Sequence, residues 1–123
     1  MARLGDLERK VMDVLWDATE PPLTGRQVAT LLPDRAYTTV LTILERLRHK
    51  GMVVRSGEGR IHSFAASESR ETYTAELMIE AMGGSNNRTA VLARFAESVS
   101  ASEAVALRQA LTGLDNEPEG TAK

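Results

Sequence analysis

A chain of 123 residues has room for one domain or two small ones, and its 42% hydrophobic content is ordinary for a folded globular protein. It contains no cysteine, which excludes disulfides, thiolate metal sites and redox thiols. The net charge is −2, no run is apolar enough to span a bilayer, and the N-terminus lacks a signal-peptide core; the expectation is a soluble cytoplasmic protein with no membrane partner.

The first helix opens at Gly5-Asp6-Leu7-Glu8, where the Glu8 charge suits the positive end of the helix dipole. Leu7, Val11, Val14 and Leu15 follow at i, i+4, i+7 and i+8, one buried face to which Trp16 adds bulk. Glu20-Pro21-Pro22 stops the helix, because proline has no N–H and restricts the residue before it. Thr24-Gly25-Arg26-Gln27 is a T-x-x-Q capping box that starts a short second helix, with Val28, Leu31 and Leu32 expected to face inward. Pro33-Asp34 breaks the chain again.

The third helix, Ala36–Lys50, is the most informative. Val40, Ile43, Leu44 and Leu47 fall on one side at about 100° per residue, while Thr38, Thr42, Glu45 and His49 fall opposite, with Arg46 on the shoulder. Threonines are poor helix formers for an outer face. Short hydroxyl side chains there make sense if something packs closely, such as base edges and phosphates in a DNA major groove. Gly51 is the expected C′ residue. Met52–Arg55 and Arg60–Phe64 read as two strands joined by turn chemistry at Ser56–Gly59, so Arg55 and Arg60 are expected at the two shoulders of a tight ribbon. Residues 35–62 hold six positive and two negative side chains, a net of +4.

Helix, short helix, turn, polar-faced helix and ribbon make a winged helix-turn-helix. Three further helices are expected: one capped by Ser67-Glu68-Ser69 and ending near Met82, one carrying Val91, Leu92, Phe95 and Val99, and one opened by the Ser100–Glu103 capping box and carrying Ala104, Leu107, Leu111 and Leu114. Residues 67–123 hold five positive and nine negative side chains, a poor surface for nucleic acid. The organisation expected is a DNA-binding domain over 1–66, a helical dimerisation region over 67–114 and a mobile tail over 115–123. The fold class is mainly α with a small β-wing.

The segments LGDLERKVMDVLW, GRQVATLL and AYTTVLTILERLRHKG resemble the penicillinase-repressor family, the BlaI/MecI type of bacterial regulators. The pattern T-V-x-T-x-L-x-R-L-x-x-K-G falls at Thr39, Val40, Thr42, Leu44, Arg46, Leu47, Lys50 and Gly51, and the resemblance covers roughly residues 3–115. It implies a homodimeric repressor with an N-terminal winged helix and a C-terminal dimerisation region, controlling β-lactam-response or cell-envelope genes. The β-lactam-responsive members are cut at an Asn-Phe bond; the matching place here is Arg94-Phe95. Where the family's wing strand runs into a Tyr-x-Pro corner, this chain has Phe64-Ala65-Ala66, which predicts a less rigid hinge. A related copper-responsive branch carries a C-terminal cysteine hook that this chain cannot use.

The partner expected is a palindromic double-stranded DNA operator, bound by the homodimer. The candidate DNA-binding residues are Tyr37, Thr38, Thr39, Thr42, Arg46, Arg55 and Arg60; the candidate dimerisation residues are Leu77, Val91, Phe95, Leu107, Leu111 and Leu114. His49 and His62 have no carboxylate cluster beside them, so no metal and no cofactor are expected, and no nucleophile or acid–base constellation suggests an enzyme. The alternatives are a winged-helix module for protein contacts, or a regulator sensing a small molecule.

Overall fold

The computed structural model describes residues 3–115. Six helices and three short strands follow in the order α1 (Asp6–Asp17), β1 (Leu23–Thr24), α2 (Gly25–Thr30), α3 (Tyr37–His49), β2 (Val53–Ser56), β3 (Ser63–Ala66), α4 (Arg70–Gly83), α5 (Arg88–Ser98) and α6 (Ala101–Asp115). The chain divides into two compact units, residues 1–79 and 80–123.

In the N-terminal unit, the apolar stripe of α3 is the centre of the core. Val40, Ile43, Leu44 and Leu47 are all buried, together with Val11, Met12 and Leu15 of α1, Val28 of α2, and Val53 and Phe64 of the sheet. Complete burial of a side chain of this kind stabilises the fold by about 1.5–3 kcal/mol, which is why the spacing of these residues fixes how three helices meet. Met12 sits in this core although the predicted stripe of α1 omits it. Leu31, predicted to face inward, is 59% exposed. Leu31 is the C-cap that follows the last residue of α2, Thr30, and it lies outside the core cluster that holds Val28.

Local signals set the helix ends. Gln27 N–H donates to Thr24 Oγ1 at 3.1 Å and Thr24 N–H donates to Gln27 Oε1 at 2.8 Å, the reciprocal pair of a capping box. Gly51, at φ +80°, closes α3: its N–H donates to the Arg48 carbonyl and Met52 N–H to the Leu47 carbonyl, both at 3.0 Å. This is a Schellman closure, and the left-handed φ makes glycine the natural residue there.

The sheet differs from the expected two-stranded ribbon. Its order is β1-β3-β2, all antiparallel, because the short segment before α2 adds a third strand with Leu23 opposite Phe64. Leu23 packs against the core, so pairing satisfies the backbone of a segment that the core already holds in place. Val53 faces Ala66 and Ser56 faces Ser63, so the strands lie later than predicted and residues 57–62 form the connecting loop. Gly57 and Gly59 have positive φ in that loop. Arg60 therefore lies in the loop rather than on a strand shoulder, and Arg55 is opposite Phe64.

The start of α4 is fastened to α1. Trp16 Nε1 donates to the Glu68 carbonyl at 2.9 Å, the Trp16 and Tyr73 rings lie 5.5 Å apart, and Arg70 bonds Asp17 at 2.8 Å while its guanidinium lies over Trp16. Residues 67–79 thus belong to the N-terminal unit, whereas the sequence division falls at 66.

In the second unit, Asn87 caps α5 by accepting from Ala90 N–H at 3.1 Å. Ser100 and Glu103 form the predicted box at the start of α6, at 3.1 and 2.8 Å. Helix α6 runs through Asp115, one residue into the predicted tail; the rest of that tail lies outside the described residues.

Candidate nucleic-acid interface

The candidate interface is the outer face of α3. With the opposite face locked into the core, Tyr37, Thr38, Thr39, Thr42, Arg46 and His49 are all exposed. The Thr42 hydroxyl donates to the Thr38 carbonyl at 2.9 Å, a back-bond that satisfies its proton and leaves its oxygen able to accept. Arg46 forms no ion pair with another described residue, and its charge helps to hold the Glu8 carboxyl below the usual glutamate range.

Glu45 organises the side of this helix nearest the wing. Its Oε1 accepts from Arg48 Nε at 3.1 Å and Nη2 at 2.9 Å, and its Oε2 accepts from Arg55 Nη1 at 3.1 Å. These arginines, Arg48 first, hold the Glu45 carboxyl below its ordinary pKa. One carboxylate therefore joins α3 to β2, and the guanidinium of Arg55, expected at a shoulder of the ribbon, is tied to the helix. Arg60 is exposed on the loop, and no other described residue pairs with it.

Tyr37 packs against α2 rather than the wing. The Arg26 guanidinium lies over its ring, 4.5 Å from the centroid. Gly25 brings the start of α2 close to α3: a Cβ there would lie 2.6 Å from Leu41 Cδ2 and 3.8 Å, an ordinary contact, from the Tyr37 ring. Sequence reasoning does not single out Arg26. Its only signal there is a position in the first turn of α2, which does not reveal that α2 crosses the head of α3.

A buried carboxylate, Glu8, pairs with the partly exposed Lys50. Glu8 is 5% exposed; its Oε1 accepts from Gly5 N–H at 2.8 Å and from Lys50 Nζ at 2.9 Å, and its Oε2 accepts from the same Nζ at 2.8 Å. Lys50, with its hydrogen bonds, and then Gly5 hold the Glu8 carboxyl below its ordinary pKa against the opposing effect of burial. Glu8 is thus a structural anchor of α1 on the C-terminal end of α3, beyond the helix-dipole role read from sequence.

The family model described as penicillinase repressor matches residues 4–113. The chain belongs to the penicillinase-repressor family. A relative in this family, the transcriptional regulator BlaI of Mycobacterium tuberculosis, is 46% identical over 121 residues, covering 94% of this chain and 87% of its own. Among solved structures, a MarR family protein from Bacillus stearothermophilus aligns with a TM-score of 0.50 at 20% identity, over 93% of this chain and 74% of its own. A point mutant of MepR from S. aureus aligns with a TM-score of 0.50 at 16% identity, over 90% and 77%. At these identities the two structures speak for the fold alone.

This penicillinase-repressor chain is a transcriptional regulator and not an enzyme. No helix among its described residues is long and apolar enough to cross a membrane. Of the candidate dimerisation residues, Leu77 is half-buried in the N-terminal unit. Within the second unit, α5 and α6 bury no residue fully: Val91 is half-covered, and Phe95, Leu107, Leu111 and Leu114 are exposed, Leu111 at 53%.

Proposed function

We propose that the chain is a homodimeric repressor that binds a palindromic operator, with α3 in the major groove and the wing on the flanking backbone. The observation that carries this is the exposed face of α3, where Thr38, Thr39, Thr42 and Arg46 stand opposite a fully buried stripe. Hydroxyls and methyls at this spacing suit base edges and thymine methyls, and an unpaired guanidinium suits guanine or phosphate. Arg55 and Arg60 supply sequence-independent attraction to phosphate. The apolar stripes of α5 and α6, left uncovered in one chain, support pairing with a second copy, and a two-fold dimer implies an inverted-repeat operator. Similarity to a regulator named BlaI supports the repressor reading, and genes of β-lactam response or the cell envelope are the proposed targets.

The test is selection of binding sites from random duplex DNA by the full chain. The expected product is an inverted repeat with half-sites about one helical turn, about 34 Å, apart or somewhat further, and affinity that falls steeply with salt. Recovery of no preferred sequence, or binding indifferent to salt, overturns the proposal and favours a protein-contact role for this face.

A further inference from the structure

Arg26 stands out once the interface is assembled. It is exposed, and among the described residues no carboxylate pairs with it. Arg48 and Arg55 are held by Glu45, Lys50 by Glu8, and Arg70 by Asp13 and Asp17, whereas Arg26 shares with Arg46 and Arg60 the lack of a carboxylate partner among the described residues. What holds Arg26 is an aromatic face, the Tyr37 ring at 4.5 Å. A cation–π contact engages the charge of the guanidinium and does not consume its N–H donors. A planar fork fixed in this way, with its donors unused, is matched to an anion with paired oxygens.

Its location says which anion. Tyr37 is the first residue of α3, next to Thr38 and Thr39, so Arg26 sits beside the end of the helix proposed to enter the groove. In a helix-turn-helix the preceding helix crosses the DNA backbone at that point. The start of α2 lies close to α3 here: a Cβ at Gly25 would come within 2.6 Å of Leu41 Cδ2, while Tyr37 lies at an ordinary contact distance of 3.8 Å. We propose that Arg26 binds a backbone phosphate and that Tyr37 serves binding as the platform that aims it. This rests on the major-groove reading of α3 and adds an anchor at Tyr37, the first residue of the helix, whereas the wing's Arg55 reaches the helix at Glu45. Such an anchor positions the helix and carries no base information.

The test is a double-mutant cycle in the full chain, titrating one random-sequence duplex across a range of salt, with melting curves to show that each variant is folded. Arg46→Ala serves as the control for the interface as a whole. Arg26→Ala is expected to weaken binding and to lower the salt slope by about one unit. Arg26→Lys should retain the slope but bind less tightly, since an ammonium cannot both stack flat and fork. Tyr37→Phe should be neutral. Tyr37→Leu should weaken binding when Arg26 is present and have no further effect in the Arg26→Ala background.

If Arg46→Ala weakens binding while Arg26→Ala leaves affinity and slope unchanged, the phosphate role of Arg26 is wrong and the interface stands. If neither has any effect, the DNA-facing role of α3 fails as well. If Tyr37→Leu costs the same in both backgrounds, Tyr37 touches DNA itself and the platform role is overturned.

Discussion

The Glu45 carboxylate and the Arg55 guanidinium meet at 3.1 Å, joining the proposed recognition helix to the first strand of the wing. The pair sits on a surface proposed to meet phosphates, so the carboxylate does two opposed things. It holds the wing arginine in place, and it sets a negative charge where a polyanion must come. Both partners are about one-third exposed, so the pair itself contributes little to stability.

Glu45→Gln tests which effect wins. Loss of the negative charge releases Arg48 and Arg55, and binding to random duplex is expected to tighten about threefold to tenfold with a steeper salt slope. Melting temperature should change little. Fluorescence anisotropy titrations across salt provide the measurement. Weaker binding would mean that pre-placing Arg55 outweighs the repulsion.

The Glu8–Lys50 pair makes a prediction about pH. The folded-state pKa of Glu8 is lowered, so its stabilising contribution is full above the unfolded glutamate value, about 4.3, and is lost as pH falls through the lower folded value. Glu8→Gln should destabilise the fold by about 1–3 kcal/mol at neutral pH, the lower part of the range being favoured because Lys50 can turn to water. The difference between the two proteins should shrink on acidification below the ordinary glutamate range. Urea unfolding at a series of pH values measures it, and a constant difference down to the most acid condition would refute the assignment.

Thr38→Ala and Thr42→Ala remove hydroxyls and methyls without changing charge. Where a threonine reads a base, its removal should lower discrimination between operator and random DNA by about 1–3 kcal/mol, while non-specific binding persists. Equal weakening on both kinds of DNA would assign the threonines to the backbone. Thr42→Ala also removes the back-bond to Thr38, so a small gain in helix stability should accompany it.

Leu107→Asp combined with Leu111→Asp places two charges in the proposed seam of the dimer, where desolvation is costly. Sedimentation should report a monomer, and operator affinity should fall far more than half-site affinity, because the second half-site is no longer tethered to the first. Both residues are exposed in a single chain, so the N-terminal unit should keep its unfolding transition. A variant that stays dimeric would move the seam elsewhere.

Features governed by neighbours along the chain were legible before folding. The Thr24–Gln27 and Ser100–Glu103 boxes, the Gly51 stop and the buried stripe of α3 all follow from spacing within one or two turns, where the interacting groups lie three or four residues apart. Those signals gave the helix order, the winged-helix class and the exposed threonine face. Which distant groups meet follows from packing. Glu8 looks like any first-turn acid until Lys50, 42 residues later, reaches it. Leu23 has no strand signal of its own and becomes β1 only because Phe64 offers an edge. The sequence marks Arg55 and Arg60 as wing cations and passes over Arg26, but it gives no contact for any of the three. Packing ties the first to Glu45, leaves the second on a loop and stacks the third on Tyr37, because burying the apolar faces fixes where each backbone carries its charge.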